Sequence, residues 1–371
     1  AEIVQYKRIL AEREVLIGLI RQDLKEMVER YGDDRRTIVN DEEVGNFVAE
    51  DLIAEEMMVV TVTHEGYIKR TALDQYRTQG RGGKGVSGAE TKEGDFLANL
   101  FVASTLDYLL FFTDRGRVYW KRVYELPSYG RTAKGRALAN VVETQESEKI
   151  TSILRVETFD DRFLVTATRQ GLIKKTPLEQ YSRPRSGGII AVNLEEGDKL
   201  VGVNLCRAGQ TIVLGTRDGM AIRFAEDDAR PMGRGATGVW GIRPQDGDEV
   251  VDMVVCNGDE TLLTICENGY GKRTNVEEYK VQGRGGQGVI DIRASERNGK
   301  VVNLLAVRAE DEVMMITKDG QIVRTKAGEI SVIGRATQGV RCIALNEGDK
   351  LVSVARIPSE EPLAAATAAK K

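Results

Sequence analysis

Gln79-Gly80-Arg81-Gly82-Gly83-Lys84-Gly85 and Gln282-Gly283-Arg284-Gly285-Gly286-Gln287-Gly288 agree at six of seven positions, although they lie far apart in the chain. Weaker copies stand at Tyr129-Gly-Arg-Thr-Ala-Lys-Gly135, Met232-Gly-Arg-Gly-Ala-Thr-Gly238 and Ile333-Gly-Arg-Ala-Thr-Gln-Gly339. Each box begins at one fixed interval after a polar-polar-Gly turn: Gln79 after Gly66, Tyr129 after Gly116, Met232 after Gly219, Gln282 after Gly269 and Ile333 after Gly320. A sixth turn at Gly171 places a degenerate box at Pro184-Arg185-Ser186-Gly187-Gly188. Successive turn glycines are therefore spaced almost evenly along the chain, from Gly66 through Gly116, Gly171, Gly219 and Gly269 to Gly320. Six copies in one register are a repeat architecture, and the fold follows from the repeat.

Each copy has one grammar. An apolar or β-branched run comes first, as in Val59-Val-Thr-Val-Thr63 or Leu262-Leu-Thr-Ile-Cys266. A two-residue hairpin turn ending in Gly and a second strand such as Tyr67-Ile-Lys-Arg-Thr71 are expected next. The box loop, a further strand, an acidic turn (Asp246-Gly-Asp248, Glu347-Gly-Asp349) and a last strand such as Leu351-Val-Ser-Val354 complete the unit. Four strands per unit and six units predict an all-β, propeller-like ring, because radial closure hides the sheet edges.

Composition excludes several alternatives. The 371 residues are 41% hydrophobic and 30% charged, as in an ordinary soluble protein. No apolar run is long enough to read as a membrane span. No signal peptide is evident, and no membrane is expected as a partner. Cys206, Cys256, Cys266 and Cys342 make no C-x-x-C pair and fall on or beside strand-like runs, so buried free thiols in a reducing cytoplasm are expected. The lone His64 leaves no histidine-based metal site and no imidazole base. With no phosphate-binding G-x-x-x-x-G-K-[ST] and no nucleophile elbow, no catalytic residue is assigned.

The net charge of −4 hides a division. Residues 1–58 carry 8 basic and 15 acidic side chains, whereas the stretches from turn Gly to box end hold 25 basic against 9 acidic. Charge segregated by position within each repeat implies one positive rim, suited to a phosphate backbone. No recognition helix follows the boxes and aromatic residues are sparse, so sequence-nonspecific binding of bent duplex DNA fits best. The candidate contacts are the first box, Gln79, Gly80, Arg81, Gly82, Gly83, Lys84 and Gly85, with glycines that let backbone amides near phosphates. To these are added the rim cations Lys69, Arg70, Arg77, Lys121, Arg122, Arg131, Lys134, Lys174, Lys175, Arg185, Arg223, Arg234, Lys272, Arg273, Arg284, Arg324 and Arg335. A protein-binding propeller with a merely solvated basic rim is the alternative.

Outside the repeats, Ile9, Leu16, Ile20, Leu24, Met27 and Tyr31 recur at helical spacings, predicting one long amphipathic helix over 3–31 that Gly32 stops. Its apolar stripe calls for a partner outside this chain, with docking on the repeat domain the other possibility. Residues 33–56 read as an acidic linker, 57–358 as the repeat domain and 359–371 as a disordered tail.

The first box, preceded by Tyr67-Ile-Lys-Arg70 and Leu73-Asp-Gln-Tyr76, resembles the signature box of the C-terminal domain of the DNA gyrase A family. Gly32-Asp-Asp-Arg-Arg-Thr37, Glu50-Asp-Leu-Ile53, Asn268-Gly-Tyr-Gly-Lys-Arg-Thr274 and Glu329-Ile-Ser-Val-Ile-Gly-Arg335 are similar to the same family. The resemblance runs from about residue 1 to Pro358. It implies a six-bladed β-pinwheel, in which strands are exchanged between blades, and makes residues 1–32 the end of a coiled coil in the breakage–reunion domain. It further implies positive-handed DNA wrapping, a heterotetramer of two A and two B subunits, and ATP with Mg²⁺ used through other domains, with no cofactor in this chain. The isolated fragment is expected to be a monomer. Gly80 stands where the family usually has a basic residue, and the copy at 282–288 is more box-like than expected so late in the chain. The topoisomerase IV counterpart, which typically lacks an intact box, is the close alternative.

Overall fold

The structure is a computed structural model that describes residues 2–33, 52–63, 65–73, 97–130, 133–145, 148–183, 185, 187–319 and 321–357. The chain divides into two units, residues 1–51 and 52–371.

Among its described residues the first unit holds two helices, Glu2–Ala11 and Arg13–Tyr31, where a single helix was expected. Glu12 between them is extended (φ −111°, ψ 103°). Its carbonyl accepts from the Val15 and Leu16 N–H groups, starting the second helix, while its own N–H still closes on Arg8. Gly32 ends the second helix as expected, donating its N–H to the Val28 carbonyl at 2.7 Å. Within the unit no described helical residue is buried, and Leu16, Ile20, Leu24 and Met27 all stand exposed.

The second unit is six antiparallel sheets, one per repeat. The fifth shows the plan. Val301–Val307, Thr261–Cys266, Tyr270–Asn275 and the two-residue strand Val340–Arg341 lie side by side in that order. The last of these belongs to the sixth repeat, so the sheet is finished by its successor. Sheets one to four are completed likewise by Arg136–Ala137, Ile189–Ile190, Val239–Trp240 and Val289–Ile290. Sheet six contains Leu351–Ile357, Glu312–Thr317 and Ile322–Lys326, and no fourth strand among the described residues. Its Leu351–Ile357 strand meets Leu97–Ser104 of sheet one, bringing the last blade against the first.

Stacking explains the continuous apolar runs. The strand Tyr108–Thr113 sends Leu109 and Phe111 into a core shared with Val60 and Ile68 of repeat one. Its Leu110 and Phe112 enter the next core, with Leu164, Leu178 and Tyr181 of repeat three. Alternation along a strand still operates, but both faces are interior, so no polar face appears in the pattern.

Three residues, not two, connect the paired strands, as in Asp114-Arg115-Gly116 between Tyr108–Thr113 and Arg117–Arg122. The turn Gly sits at positive φ, as three-residue hairpin loops require (Gly116 +75°, Gly219 +89°, Gly269 +79°). The preceding Thr caps the loop: Thr63, Thr113, Thr168, Thr216 and Thr317 each accept a backbone N–H at 3.1–3.3 Å through Oγ1. The Gly is needed twice over, because a Cβ on Gly219 would fall 2.2 Å from the Ile292 carbonyl of the following repeat. All four cysteines are free; Cys206, Cys256 and Cys266 are buried and Cys342 partly so. Burial pushes their thiols up, to about 11 for Cys206 and about 12 for the others.

Candidate nucleic-acid interface

The box loops lie on the second strand of the preceding sheet. The N–H of the first box residue donates to the carbonyl four residues after that sheet's turn Gly: Tyr129 to Arg70, Met232 to Lys175, Gln282 to Arg223 and Ile333 to Arg273, at 2.8–3.1 Å. A one-residue parallel bridge accompanies each (Arg70 with Ser128, Lys175 with Pro231, Arg223 with Val281, Arg273 with Val332). The seventh-position glycines are pressed onto the same strand, and a Cβ on Gly288 would meet the Ala221 carbonyl at 2.5 Å. Gly285 donates to the Gly241 carbonyl at 2.7 Å. The Gly at these two positions therefore permits close approach to protein backbone. Gly130, Gly233 and Gly283, at the second position, face open space.

Several candidate rim cations do not reach a rim. Lys69, Lys174, Lys175, Lys272 and Arg273 are buried. Lys69 donates to the Ala133 carbonyl at 2.7 Å and the Gly130 carbonyl at 3.3 Å, and Lys174 to the Ala191 and Arg234 carbonyls, so both hold box loops from beneath. Lys272 pairs with Asp291 at 2.9 Å, and Lys175 with the Glu226 carboxylate. Desolvation lowers the Lys69 and Lys174 ammonium groups, the latter to about 7, where the nearby Arg234 adds repulsion.

The position four after the turn Gly proves to be a fastener between blades. Arg70 donates to the Leu126 carbonyl at 2.8 Å, Arg223 to Val276 at 2.9 Å, and Arg273 to Ile330 at 2.8 Å. Lys175 also donates to the Glu226 carbonyl at 3.1 Å. Each carbonyl belongs to, or directly follows, the short 3₁₀ turn of the next repeat (Val123–Glu125, Glu226–Asp228, Val276–Glu278, Ala327–Glu329). The reason is topological: a middle strand is covered on both faces, so a cation there must find acceptors inside. Arg324 differs, being exposed and paired with Glu312 of its own hairpin.

Other candidates lie outward. Arg284 is exposed, with Nε donating to the Asp228 carbonyl at 2.8 Å and Nη1 to Trp240 at 3.2 Å. Arg335, half-buried, stands equivalently in the next repeat, its Nη1 3.4 Å from the Ile290 carbonyl. Arg185 and Arg234 line a cavity of about 500 Å³ together with Arg183, Glu179 and Gln180. Lys121 pairs with Glu125, Arg122 covers the Tyr108 ring at 3.6 Å, and Lys134 sits 3.7 Å from the Tyr67 ring centroid beside Glu65. Arg77, Arg131 and the box Gln79–Gly85 lie outside the described residues. Exposed cations that the sequence reading passed over include Arg230 and Lys280, just before boxes, and Arg243 and Arg293, just after outer strands. The last two share a register, since Arg243 follows Gly219 at the same interval as Arg293 follows Gly269, and that spacing could have revealed them.

The fold and its outward arginines define a six-bladed, strand-exchanging propeller with cations carried on loops that pass between blades. Comparison with known proteins agrees. The family model for the DNA gyrase C-terminal domain, beta-propeller, matches six times, over residues 58–104, 107–157, 162–207, 210–257, 260–308 and 311–358. The chain belongs to that family. It is 51% identical to the DNA gyrase A protein of Halalkalibacterium halodurans and 46% to that of Mycobacterium tuberculosis, each over 97% of this chain. It spans only 43% of either relative's length. Among solved structures, the C-terminal domain of DNA topoisomerase IV matches with TM-score 0.73 (28% identity, 86% of this chain and 99% of that one). The DNA gyrase A C-terminal domain matches with TM-score 0.66 (28% identity, 82% of this chain and 100% of that one).

Proposed function

We propose that this chain binds duplex DNA along its box-bearing perimeter without sequence preference, wraps it with positive handedness, and presents a segment to the rest of gyrase. The observation that carries the reading is the repeat of Arg284 and Arg335, each reaching a backbone carbonyl of the outer strand that completes the preceding blade. A cation at each blade spacing suits the spaced phosphates of a curved duplex. Bending some 40 base pairs through a half-circle costs roughly 10 kcal/mol by worm-like-chain elasticity, so many such contacts are needed. The remainder of gyrase A and gyrase B, in a heterotetramer of two A and two B subunits, would supply the DNA gate and the ATP- and Mg²⁺-dependent steps. Cytoplasmic placement follows from that assignment. The two close boxes at 79–85 and 282–288 favour gyrase over the topoisomerase IV counterpart.

The first box has its own role in this proposal. The 282–288 box crosses sheet four and leads directly into Val289–Ile290, which completes that sheet. Leu351–Ile357 of the last blade meets Leu97–Ser104 of the first, and we assign the closing of that seam to the first box. The box then closes the ring and sets the DNA path, as well as contributing Arg81 and Lys84.

Duplex binding measured from 50 to 200 mM salt tests the grip: with about ten phosphate contacts, affinity falls by roughly 10³–10⁵. A flat salt response refutes the perimeter reading. Ligating nicked circles with the chain bound tests the wrap, since the linking number should shift. Alanines across 79–85 should lower affinity modestly yet abolish that shift. An unchanged shift makes the box one more phosphate clamp.

A further inference from the structure

Isolated apolar side chains on a protein surface are ordinary and need no account. Ile190, Trp240 and Ile290 are not isolated. They are the second residues of the outer strands completing sheets two, three and four, paired with Arg117, Leu172 and Met220. All three stand 38–47% exposed, in one register in three consecutive blades, while the strand residue before each is more covered. Each of the last two has a box arginine of the following repeat at its backbone. Arg284 Nη1 donates to the Trp240 carbonyl and Arg335 Nη1 lies at the Ile290 carbonyl. A Cβ on Gly285 would come within 3.4 Å of the Trp240 Cβ, so box and tryptophan are in direct apposition. Arg243 lies on the ring side, 5.7 Å from the Trp240 centroid.

We propose that these side chains are the non-ionic half of the DNA contact, packing on the deoxyribose edges beside the phosphates taken by the neighbouring arginines. The inference rests on the DNA-binding reading above. A duplex backbone alternates an anionic phosphate with a largely apolar sugar, and a guanidinium seated against an apolar side chain matches that alternation. Charge complementarity identifies the occupant, because a purely apolar partner would leave Arg284 and Arg243 to be desolvated without a counter-charge. Sugar contact is also indifferent to base sequence, as a wrapping surface requires.

The test compares Trp240→Ser with Ile290→Ser, singly and together, against Arg284→Ala, using a random-sequence 40-base-pair duplex titrated at several salt concentrations. Loss of apolar burial should weaken binding by roughly five- to thirty-fold in the double variant, with the slope of log K against log salt unchanged. Arg284→Ala should instead flatten the slope by about 0.9. Trp240 supplies a second readout, since the other tryptophan, Trp120, is buried with its Nε1 donating to the Tyr181 carbonyl. Saturating duplex should change the Trp240 emission. Circular dichroism at the assay temperature should match the unsubstituted chain, so that a loss of contact is read on folded protein. Ser variants that bind as the parent does, with Trp240 emission indifferent to DNA, overturn the inference while leaving the DNA reading intact. Failure of the parent chain to bind duplex at 50 mM salt overturns the DNA reading itself. Concentration-dependent self-association of the parent that the Ser variants lose would make the occupant a second copy of this chain, and the inference wrong.

Discussion

Lys175 tests whether the buried cations belong to the protein or to the DNA. Its ammonium bonds both the carboxylate and the backbone carbonyl of Glu226 in the next repeat, and the two side chains are only 3% and 2% exposed. Lys175→Met keeps most of the stem's volume, so the cavity is small. The main effect is to strip Glu226 of its buried counter-charge, and breaking such a pair from one side costs about 3–5 kcal/mol. With about 2.1 cal/mol/K of unfolding entropy per residue over roughly 300 residues, that is a fall of about 5–8 °C in midpoint. Adding Glu226→Gln should recover most of the loss, because a neutral amide no longer needs the cation. Calorimetry reads the stability, and duplex titration at several salt concentrations reads the charge. The salt slope of folded Lys175→Met should equal that of the parent. A variant that keeps its midpoint but loses about 0.9 in slope would refute the reasoning and return Lys175 to the DNA surface.

Lys174 should make stability depend on pH. Its folded pKa of about 7 lies below the unfolded 10.5, so between these values the unfolded chain holds a proton that the folded chain has lost, and stability rises with pH. The stability difference between the parent and Lys174→Met should therefore move in the parent's favour from pH 6 to 9; a flat difference means the amine stays charged throughout. Gly219→Ala should cost several kcal/mol in chemical denaturation, since it combines φ +89° with a carbonyl 2.2 Å away, whereas Gly247→Ala, at φ +83° in open space, should cost only about 1. Gly283→Lys points into open space and should leave the midpoint unchanged while steepening the salt slope by about 0.9. Replacing Cys206, Cys256, Cys266 and Cys342 together should lower stability, by roughly 1–3 kcal/mol per buried site, yet leave duplex affinity intact where the protein stays folded.

The repeat was legible because its signals are local. A left-handed glycine after a Thr-capped strand, and a box at a fixed interval beyond it, are demanded by backbone geometry whatever the neighbours do. What faces where is a different matter. Lys174 and Arg284 look alike in the chain, each a cation recurring in register, and the period alone cannot tell a perimeter from an interior. The distinguishing fact is the stacking of sheets, which covers both faces of every middle strand. With that fact, Lys69, just past Gly66, must be inside, Arg70 beside it must turn to a carbonyl of the next blade, and the described boxes must lie outside. The loop length escaped for a similar reason: Asp114-Arg115-Gly116 and a two-residue turn share the same terminal Gly. Nothing in the residues around Glu12 announces the helix break, since neither Gly nor Pro stands there.

The inward-turned cations, half-buried Arg223 and buried Arg273 among them, are still connected to the candidate interface. Arg223 uses its side chain to hold the Val276 and Tyr279 carbonyls before the fifth box, and its own carbonyl to receive Gln282, the first residue of that box. One residue thus pins the segment 276–282 at both ends, and Arg284 follows two residues later. Arg273 does the same for Ile330 and Ile333, with Arg335 two residues beyond. The outward arginine therefore inherits its position from one on the previous blade, and on the proposed function the spacing of DNA contacts would be the spacing of blades. It follows that a fastener can matter to DNA without touching it. Truncating Arg223 frees the box, so affinity and handed wrapping should fall together with local order, while truncating Arg284 removes one charge from a box that stays in place.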